Sequence, residues 1–167
     1  MDLLNLVRDW PAPVTTAAAV GAALSGGVFF AFSSFVMTGL AQAPGSVGLQ
    51  AMQAINVAAP SPAFMALLFG SSALAIPVAI RALSDLGRPG AGLAAAGALA
   101  ALVTPVMTIA FHVPRNNALA AVAVADPGAL EAWAHYVQVW TTGNHVRTLS
   151  SAGAGLLLTL ALRAGWA

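Results

Sequence analysis

Four long apolar stretches dominate the hydrophobic pattern of the chain, at about residues 14–40, 62–83, 91–113 and 143–164. Each is long enough for a transmembrane helix, which needs about 20 mainly apolar residues to cross the hydrocarbon core. The pattern therefore predicts an all-α fold: an integral membrane four-helix bundle that forms a single domain over residues 1–167. Two longer connections, at about residues 41–61 and 114–142, carry most of the unusual polar residues.

Both connections show signs of short helices at the membrane interface. In the first, Leu49, Met52 and Ile55 follow one another at helical spacing, which indicates one apolar helix face. In the second, Asp126 precedes Pro127, a pair that predicts a helix start with an aspartate cap and a proline at the first helical position. We expect this last helix to continue into the fourth span.

The amino-acid composition excludes several classes of protein and of site. The chain is 59% hydrophobic and 7% charged, whereas soluble domains carry roughly 25% charged residues, so a water-soluble monomer is excluded. Six arginines, no lysine and a net charge of +1 provide no basic surface for nucleic acid. The absence of cysteine excludes disulfides and thiolate metal sites.

The arginines predict the orientation in the membrane. Arg8, Arg81, Arg88 and Arg163 flank one side of the predicted spans, and Arg115 lies towards the other. The positive-inside rule then places both termini in the cytoplasm and both long connections outside, in a plasma or bacterial inner membrane.

Three groups of polar residues on the predicted outer side are candidates for a site. Phe30 and Ser34 are one turn apart on the first helix, and Gln53 and Asn56 are three residues apart in the first connection. Each pair shares a helix face, which is consistent either with packing or with the wall of a pocket. At the end of the third span, His112 and Asn116 are one turn apart, and all of these side chains remain open to a structural role.

A single helical stripe runs through the last helix. Its members are spaced by four, three, four and three residues: Trp133, Val137, Trp140, Asn144 and Arg147. Tryptophans at this level are typical of the aromatic belt at a membrane surface, but a stripe that continues into an amide and a guanidinium favours a pocket face.

Arg147 is the most unusual residue of the chain. Fifteen residues separate it from Arg163, about 22 Å of helix against a core of about 30 Å. Ionisable side chains at depth usually face a bundle interior or a watery cavity; the alternative is an arginine that extends to the lipid phosphates. The span has no carboxylate, so an anionic ligand oxygen or a backbone carbonyl is the expected partner.

The histidines predict no metal site. Besides His112, the chain has His135 and His145, which would lie about 80° apart around a helix axis. Haem ligation by His112 and His145 across two helices is conceivable, but no spacing rule supports it.

Four segments taken together resemble a known family. They are residues 26–37 (GGVFFAFSSFVM), 51–56 (AMQAIN), 115–117 (RNN), and Trp140 followed by 144–147 (NHVR). In this order they are similar to the anthrone oxygenase-like family of small four-span membrane proteins, over nearly the whole chain. The resemblance implies a monooxygenase, since fungal members are associated with oxidation of an anthrone to an anthraquinone in polyketide pathways; most bacterial members have no assigned substrate.

This resemblance yields a mechanistic hypothesis without a cofactor. An apolar aromatic substrate would arrive from membrane lipid and react with O2 in a slot formed by Phe30, Trp133 and Trp140. Arg147 and Asn144 would stabilise an enolate oxygen. A histidine would abstract the proton, because its unperturbed pKa is about 6.5. His112 is the first choice for this base and His145 the second.

Substrate contacts are also expected from the polar residues named above: Ser34, Gln53, Asn56 and Asn116. Two other classes of function stay open. One is a haem- or quinone-binding redox membrane protein, and the other is a non-catalytic partner or lipid-binding subunit. A homo-oligomer is compatible with all of them.

Overall fold

The computed structural model describes residues 10–167, which fold into five helices without a strand. They are α1 (Pro11–Gln42), α2 (Val47–Ala58), α3 (Pro62–Ser84), α4 (Ala91–Ala120) and α5 (Ala129–Arg163). Three of these helices, α1, α3 and α4, are long and apolar enough to cross a membrane, which confirms the all-helical membrane character. The fourth span within α5 and the orientation of the termini stay predictions, and Arg8 lies outside the described residues.

Each of the three apolar helices contains one π-helical turn. These turns are Phe32–Val36 in α1, Ala66–Gly70 in α3 and Thr108–His112 in α4. A π turn takes in one extra residue, so the residues after it are rotated by about 100° relative to an uninterrupted α-helix. Such turns frequently occur at functional sites.

Pro105, inside α4, is tolerated because a neighbouring helix uses the carbonyl that it leaves free. Proline has no N–H to donate four residues back, so the carbonyl of Ala101 has no donor within α4. The Ser72 hydroxyl of α3 donates to that carbonyl at 3.2 Å. This bond joins α3 to α4 near the middle of the bundle.

One end of the bundle, which we call the alanine half, is packed almost entirely through small residues. Its buried cluster contains Ala18, Ala19, Ala22, Ala75, Ala79, Ala82, Ala91, Ala94, Ala95, Ala98, Ala101, Ala154 and Ala161, with Val78, Leu158 and Trp166. Trp166 is completely buried and donates its indole N–H to Thr15 Oγ1 at 3.1 Å. Gly90 closes the α3–α4 turn with φ 76°, and a Cβ there would lie 2.7 Å from the Ala161 carbonyl.

The other end, the aromatic half, has a core of bulky side chains from α1, α2, α4 and α5. Its buried cluster is Met37, Leu49, Met52, Leu119, Ala129, Trp133, Tyr136 and Trp140. The predicted helix in the first connection is confirmed as α2, and it lies against the bundle. Gln53 of α2 donates to the carbonyls of Leu119 and Val122 at 2.9 and 3.0 Å, which satisfies carbonyl groups at the end of α4.

The start of α5 differs from the prediction by two residues. The helix begins at Ala129 with Gly128 in the cap position, not with Asp126 as the cap and Pro127 as its first residue. The carboxylate of Asp126 instead accepts from the backbone N–H of Ala123 at 3.0 Å. It stabilises the preceding turn and is therefore not free to cap the helix.

Candidate functional site

A cavity of about 190 Å³ lies in the aromatic half, with walls from all five helices. Most of its lining is apolar, and each of the three π turns contributes to it, through Phe32, Leu68 and Phe69, and Thr108. Its polar members are Asn56, Thr108, His112, Asn116 and Arg147. A largely apolar cavity with a few convergent polar groups is the usual form of a small-molecule site.

Arg147 lies buried in the cavity wall, with 5% of its surface exposed. Its hydrogen-bond partners are neutral: the Asn144 carbonyl oxygen accepts from Nη2 at 2.7 Å and from Nε at 3.2 Å, and Thr108 Oγ1 accepts from Nη1 at 3.3 Å. The guanidinium also lies 4.3 Å from the ring centre of Phe29 and 5.1 Å from that of Trp140. Since a guanidinium has five N–H groups, two remain for another oxygen.

Asn144 fixes the position of this guanidinium. Its carbonyl is occupied by Arg147, and its NH₂ group donates to the Phe29 carbonyl at 2.7 Å and to Ser33 Oγ at 2.8 Å. All four bonds are internal, and Asn144 is completely buried. The amide therefore joins Arg147 to α1 and has no N–H left for a ligand.

His112 lies beside Arg147, and both side chains contact the Trp140 indole. The imidazole is 1% exposed and meets the indole edge-to-face, with ring centres 5.2 Å apart. Its Nδ1 is 3.0 Å from the Met107 carbonyl. Because a carbonyl only accepts, Nδ1 carries the proton and the lone pair of the neutral ring is on Nε2, which has no hydrogen-bond partner among residues 10–167.

A second polar network holds the aromatic wall in place. The Asn116 carbonyl oxygen accepts from the Tyr136 hydroxyl at 2.9 Å and from Trp140 Nε1 at 3.0 Å. Asn56 of α2 donates to the same tyrosine hydroxyl at 3.3 Å. The network ties α2, α4 and α5 together and orients the indole on which His112 and Arg147 lie.

The cavity has an exposed edge, which we call its mouth, and α3 and α4 both contribute to it. Phe69 of α3 and Ile109 and Val113 of α4 line it and are also exposed on the outer surface of the bundle. The mouth is thus apolar, and both helices are long and apolar enough to cross a membrane. Drug-sized ligands usually need about 300 Å³ or more, so a three-ring molecule would extend from the enclosed part into this mouth.

Comparison with known proteins decides the family. The model of the anthrone oxygenase family matches residues 49–157, which is more than half of the chain. The chain belongs to the anthrone oxygenase family. The match contains every polar residue of the cavity wall, whereas the α1 side of the cavity precedes it. No curated protein and no solved structure gives a significant match.

Two residues of α1 that the sequence predicted as substrate contacts of this anthrone oxygenase family member lie elsewhere. Phe30 is 59% exposed, and Ser34 is exposed and donates to the Phe30 carbonyl at 2.6 Å. The prediction assumed a regular helix, in which the face of Phe30 and Ser34 would continue to Met37 one turn later. The π turn at Phe32–Val36 adds one residue, so Met37 aligns with Phe29 instead.

The remaining predicted residues divide into two groups. Asn56, His112, Asn116, Trp140 and Arg147 meet at the cavity. Four others do not line it: Trp133 stacks on Tyr136 with ring centres 5.8 Å apart, Gln53 is bound to the end of α4, Asn144 lies buried behind Arg147, and His145 is exposed on the outside of α5. Because His145 and buried His112 face different surroundings, the geometry does not bring them together as a haem-ligand pair.

Sequence reasoning missed Phe29, Thr108 and Tyr136. Tyr136 is three residues after Trp133 and four before Trp140, so the helical spacing that indicated the stripe also includes it. Phe29 and Thr108 contact Arg147 only because of how α1 and α4 pack on α5, which no local spacing reveals. Among residues 10–167, no three His, Cys, Asp or Glu side chains lie close enough together to hold a metal ion.

Proposed function

We propose that this protein is a membrane oxidoreductase that uses O2 to oxidise an anthrone-type aromatic to a quinone in the cavity of the aromatic half. One observation supports this most directly: Arg147, held by neutral partners, and His112, whose Nε2 has no partner among residues 10–167, lie against the same indole. A cation and a base side by side in an apolar cavity suit a substrate that becomes an anion only during the reaction.

The reaction needs only the substrate and O2. Nε2 of His112 takes a proton from the methylene carbon opposite the ketone, and the electron pair moves to the ketone oxygen as an enolate. That carbon then bonds to O2, and the product takes up the proton as a hydroperoxide. Loss of water, which removes the second methylene hydrogen, leaves a new carbonyl. One oxygen atom of O2 enters the quinone, the other leaves as water, and no further reductant is consumed.

Arg147 has the role of stabilising the enolate oxygen. Donors fixed before the reaction act most strongly in a dry site, and loss of one commonly costs about 10²–10³ in rate. The two N–H groups not used by Asn144 and Thr108 are available for this bond. Asn144, predicted as a second donor, acts here as a positioning residue because its own N–H groups are occupied.

His112 is proposed as the base because its Nδ1–H is bound to a backbone carbonyl, which leaves the basic lone pair on Nε2. The bond from Nδ1 to the Met107 carbonyl spans five residues, the spacing of the π turn in which His112 lies. General bases contribute about 10²–10⁴ in rate. A flat apolar substrate would reach this base from lipid through the mouth of the cavity.

The test compares arginine variants in an oxygen-dependent quinone assay. Purified protein in detergent is given an anthrone, and quinone absorbance is recorded against heat-inactivated protein. Arg147→Ala should reduce the initial rate by about 10²–10³, and Arg147→Lys by less. Arg163→Ala, at the exposed end of α5, is the matched control. Unchanged turnover in a well-folded Arg147→Ala protein would contradict the assignment.

A histidine pair tests the base independently. His112→Gln keeps a polar side chain of similar size but removes the basic nitrogen, so the rate should fall by about 10² or more. His135→Gln, which alters an exposed histidine of α5, should leave the rate unchanged. If wild-type protein does not exceed autoxidation with O2 present, the non-catalytic partner or lipid-binding function becomes the better account.

A further inference from the structure

A second, much smaller void lies between the alanine half and the aromatic half. Its volume is about 10 Å³, and all four long helices contribute a hydroxyl to its lining. These are Ser25 of α1, Ser71 and Ser72 of α3, Thr104 of α4, and Ser151 of α5. Each of them is buried. In an otherwise alanine-rich interior, this is a concentrated polar site.

Ser25 is the unusual member of the set. It is 2% exposed, and its Oγ has no hydrogen-bond partner among residues 10–167. A helical serine normally donates to the carbonyl four residues earlier, as Ser34 does to Phe30 at 2.6 Å. A buried hydroxyl without a partner is costly, so a group that the protein itself does not supply should satisfy it.

The other hydroxyls leave acceptors for such a group. Ser71 Oγ donates to the Leu67 carbonyl at 2.6 Å, and Ser72 Oγ shares its one proton between the carbonyls of Leu68 at 2.9 Å and Ala101 at 3.2 Å. Their protons are therefore committed, but their oxygen lone pairs are not. Thr104 Oγ1 bonds to Ser151 Oγ at 2.6 Å and to Ser150 Oγ at 3.3 Å. Whichever hydroxyl donates in the shorter bond, Ser151 Oγ keeps at least one free lone pair.

We infer that this void binds one ordered water molecule that bridges the four long helices. About 10–15 Å³ is the space that one water needs, and a buried water typically makes about three hydrogen bonds. The water accepts from Ser25 of α1 and donates to a serine oxygen of α3 and to Ser151 Oγ of α5, which is itself bonded to Thr104 of α4. A metal cation fits poorly, because no carboxylate of the described part of the chain lines the void, and an apolar gas would leave Ser25 unsatisfied.

The position of this water connects it to the structure below the cavity. Leu68 lines both the void and the larger cavity. Thr108, which accepts from Arg147, donates to the backbone carbonyl of Thr104 at 2.9 Å. The water thus fixes the four helices one turn away from Arg147. This inference does not depend on the proposed reaction.

The sign of one stability change distinguishes a hydrated void from a dry one. In a dry void, Ser25→Ala removes an unsatisfied polar group and should raise or maintain the melting temperature in detergent. In a hydrated void, the same change deprives the water of a donor and should lower it. We expect a decrease, with Ser34→Ala, which alters an exposed serine of the same helix, showing little change.

A high-resolution crystal structure provides the direct measurement. A density peak within about 3.2 Å of Ser25 Oγ, and within the same distance of oxygens from two other helices, would support the inference. An empty void in a map that resolves other buried waters would overturn it. A melting temperature of Ser25→Ala equal to or above that of the wild type would overturn it as well.

Discussion

The buried cores of the two halves share α1, α4 and α5 but are packed in opposite ways. In the alanine half, small side chains allow the four long helices to approach closely, and Trp166 fills the end of the bundle. In the aromatic half, indoles, phenyl rings and methionines form the core, and a cavity remains between the helices. Close approach through small residues is the usual way to pack helices in lipid. The departure from it marks the candidate site.

The π turns mark the same division. The alanine cluster uses α1 before Phe32, α3 after Gly70 and α4 before Thr108. The three turns therefore lie on the aromatic side, where each presents a residue to the cavity. A regular helix would keep one face throughout its length, whereas these helices present one face to the alanine core and a rotated face to the site. The same helices can therefore stabilise the fold at one end and line a cavity at the other.

Trp166→Ala should have the largest effect on stability, and this effect should come from the alanine half. Removing a fully buried indole typically costs about 3–5 kcal/mol, and Thr15 would also lose its donor. Chemical unfolding in detergent measures the loss. Trp166→Phe is the control that keeps an aromatic ring; a loss as large as that of alanine would show that the hydrogen bond, and not the packing, is decisive.

The same alanine-to-leucine change should have opposite outcomes in the two halves. Ala98 is completely buried in the small-residue core, so Ala98→Leu should destabilise the protein by about 1–3 kcal/mol. Ala59 lines the cavity, so Ala59→Leu should preserve stability while reducing quinone formation. The comparison fails if Ala59→Leu is as destabilising as Ala98→Leu, since this would mean that the cavity does not accept added volume.

Asn116→Ala should destabilise the aromatic half by about 1–3 kcal/mol, because it leaves the Tyr136 hydroxyl and Trp140 Nε1 without their acceptor. Tyr136→Phe removes one of those donors in advance. The double variant should therefore lose less than the sum of the single variants. Strict additivity in the unfolding free energies would contradict the shared acceptor.

Alkaline pH should produce the smallest effect, again in the aromatic half. Burial raises the pKa of Tyr136, which precedes the predicted fourth span, and the hydrogen bond from Asn56 opposes this rise. Because the folded pKa exceeds the unfolded value of about 10, this contribution to stability is complete below pH 10 and declines as the pH rises further. Tyr136 is the only tyrosine, so its ultraviolet absorbance reports ionisation directly, and Tyr136→Phe should weaken the dependence.

The sequence predicted the elements well because hydrophobic length and helical spacing are local properties. The three apolar helices, α2 against the bundle, and the buried stripe through Trp140, Asn144 and Arg147 all follow from residue patterns. Arg147 was expected in the bundle interior because a cation at that depth has few other places, and its burial confirms this. What sequence patterns miss is a change of helical register. No residue type in α1 predicts its π turn. Because of this turn, the residue that shares a helix face with Met37 is Phe29 and not Phe30.

The sequence predicted which types of polar residue lie near the site, but not which hydrogen bonds each of them makes. Amides near an arginine indicated polar contacts, yet which hydrogen bonds they make depends on tertiary packing. Asn144 donates to α1 only because α1 passes within reach, and Gln53 is used to close the end of α4. These hydrogen-bond partners depend on the geometry of neighbouring helices and not on residue spacing along one helix.

The apolar mouth of the cavity also has a kinetic consequence for the oxidation proposed above. A ligand that reaches the site through this mouth is dissolved in the apolar phase, so its effective concentration is its mole fraction in lipid or detergent and not its amount per volume of water. Adding more detergent at constant total substrate would then slow the reaction by surface dilution. The apparent KM of that reaction would then be expressed as a mole fraction of substrate in the lipid or detergent.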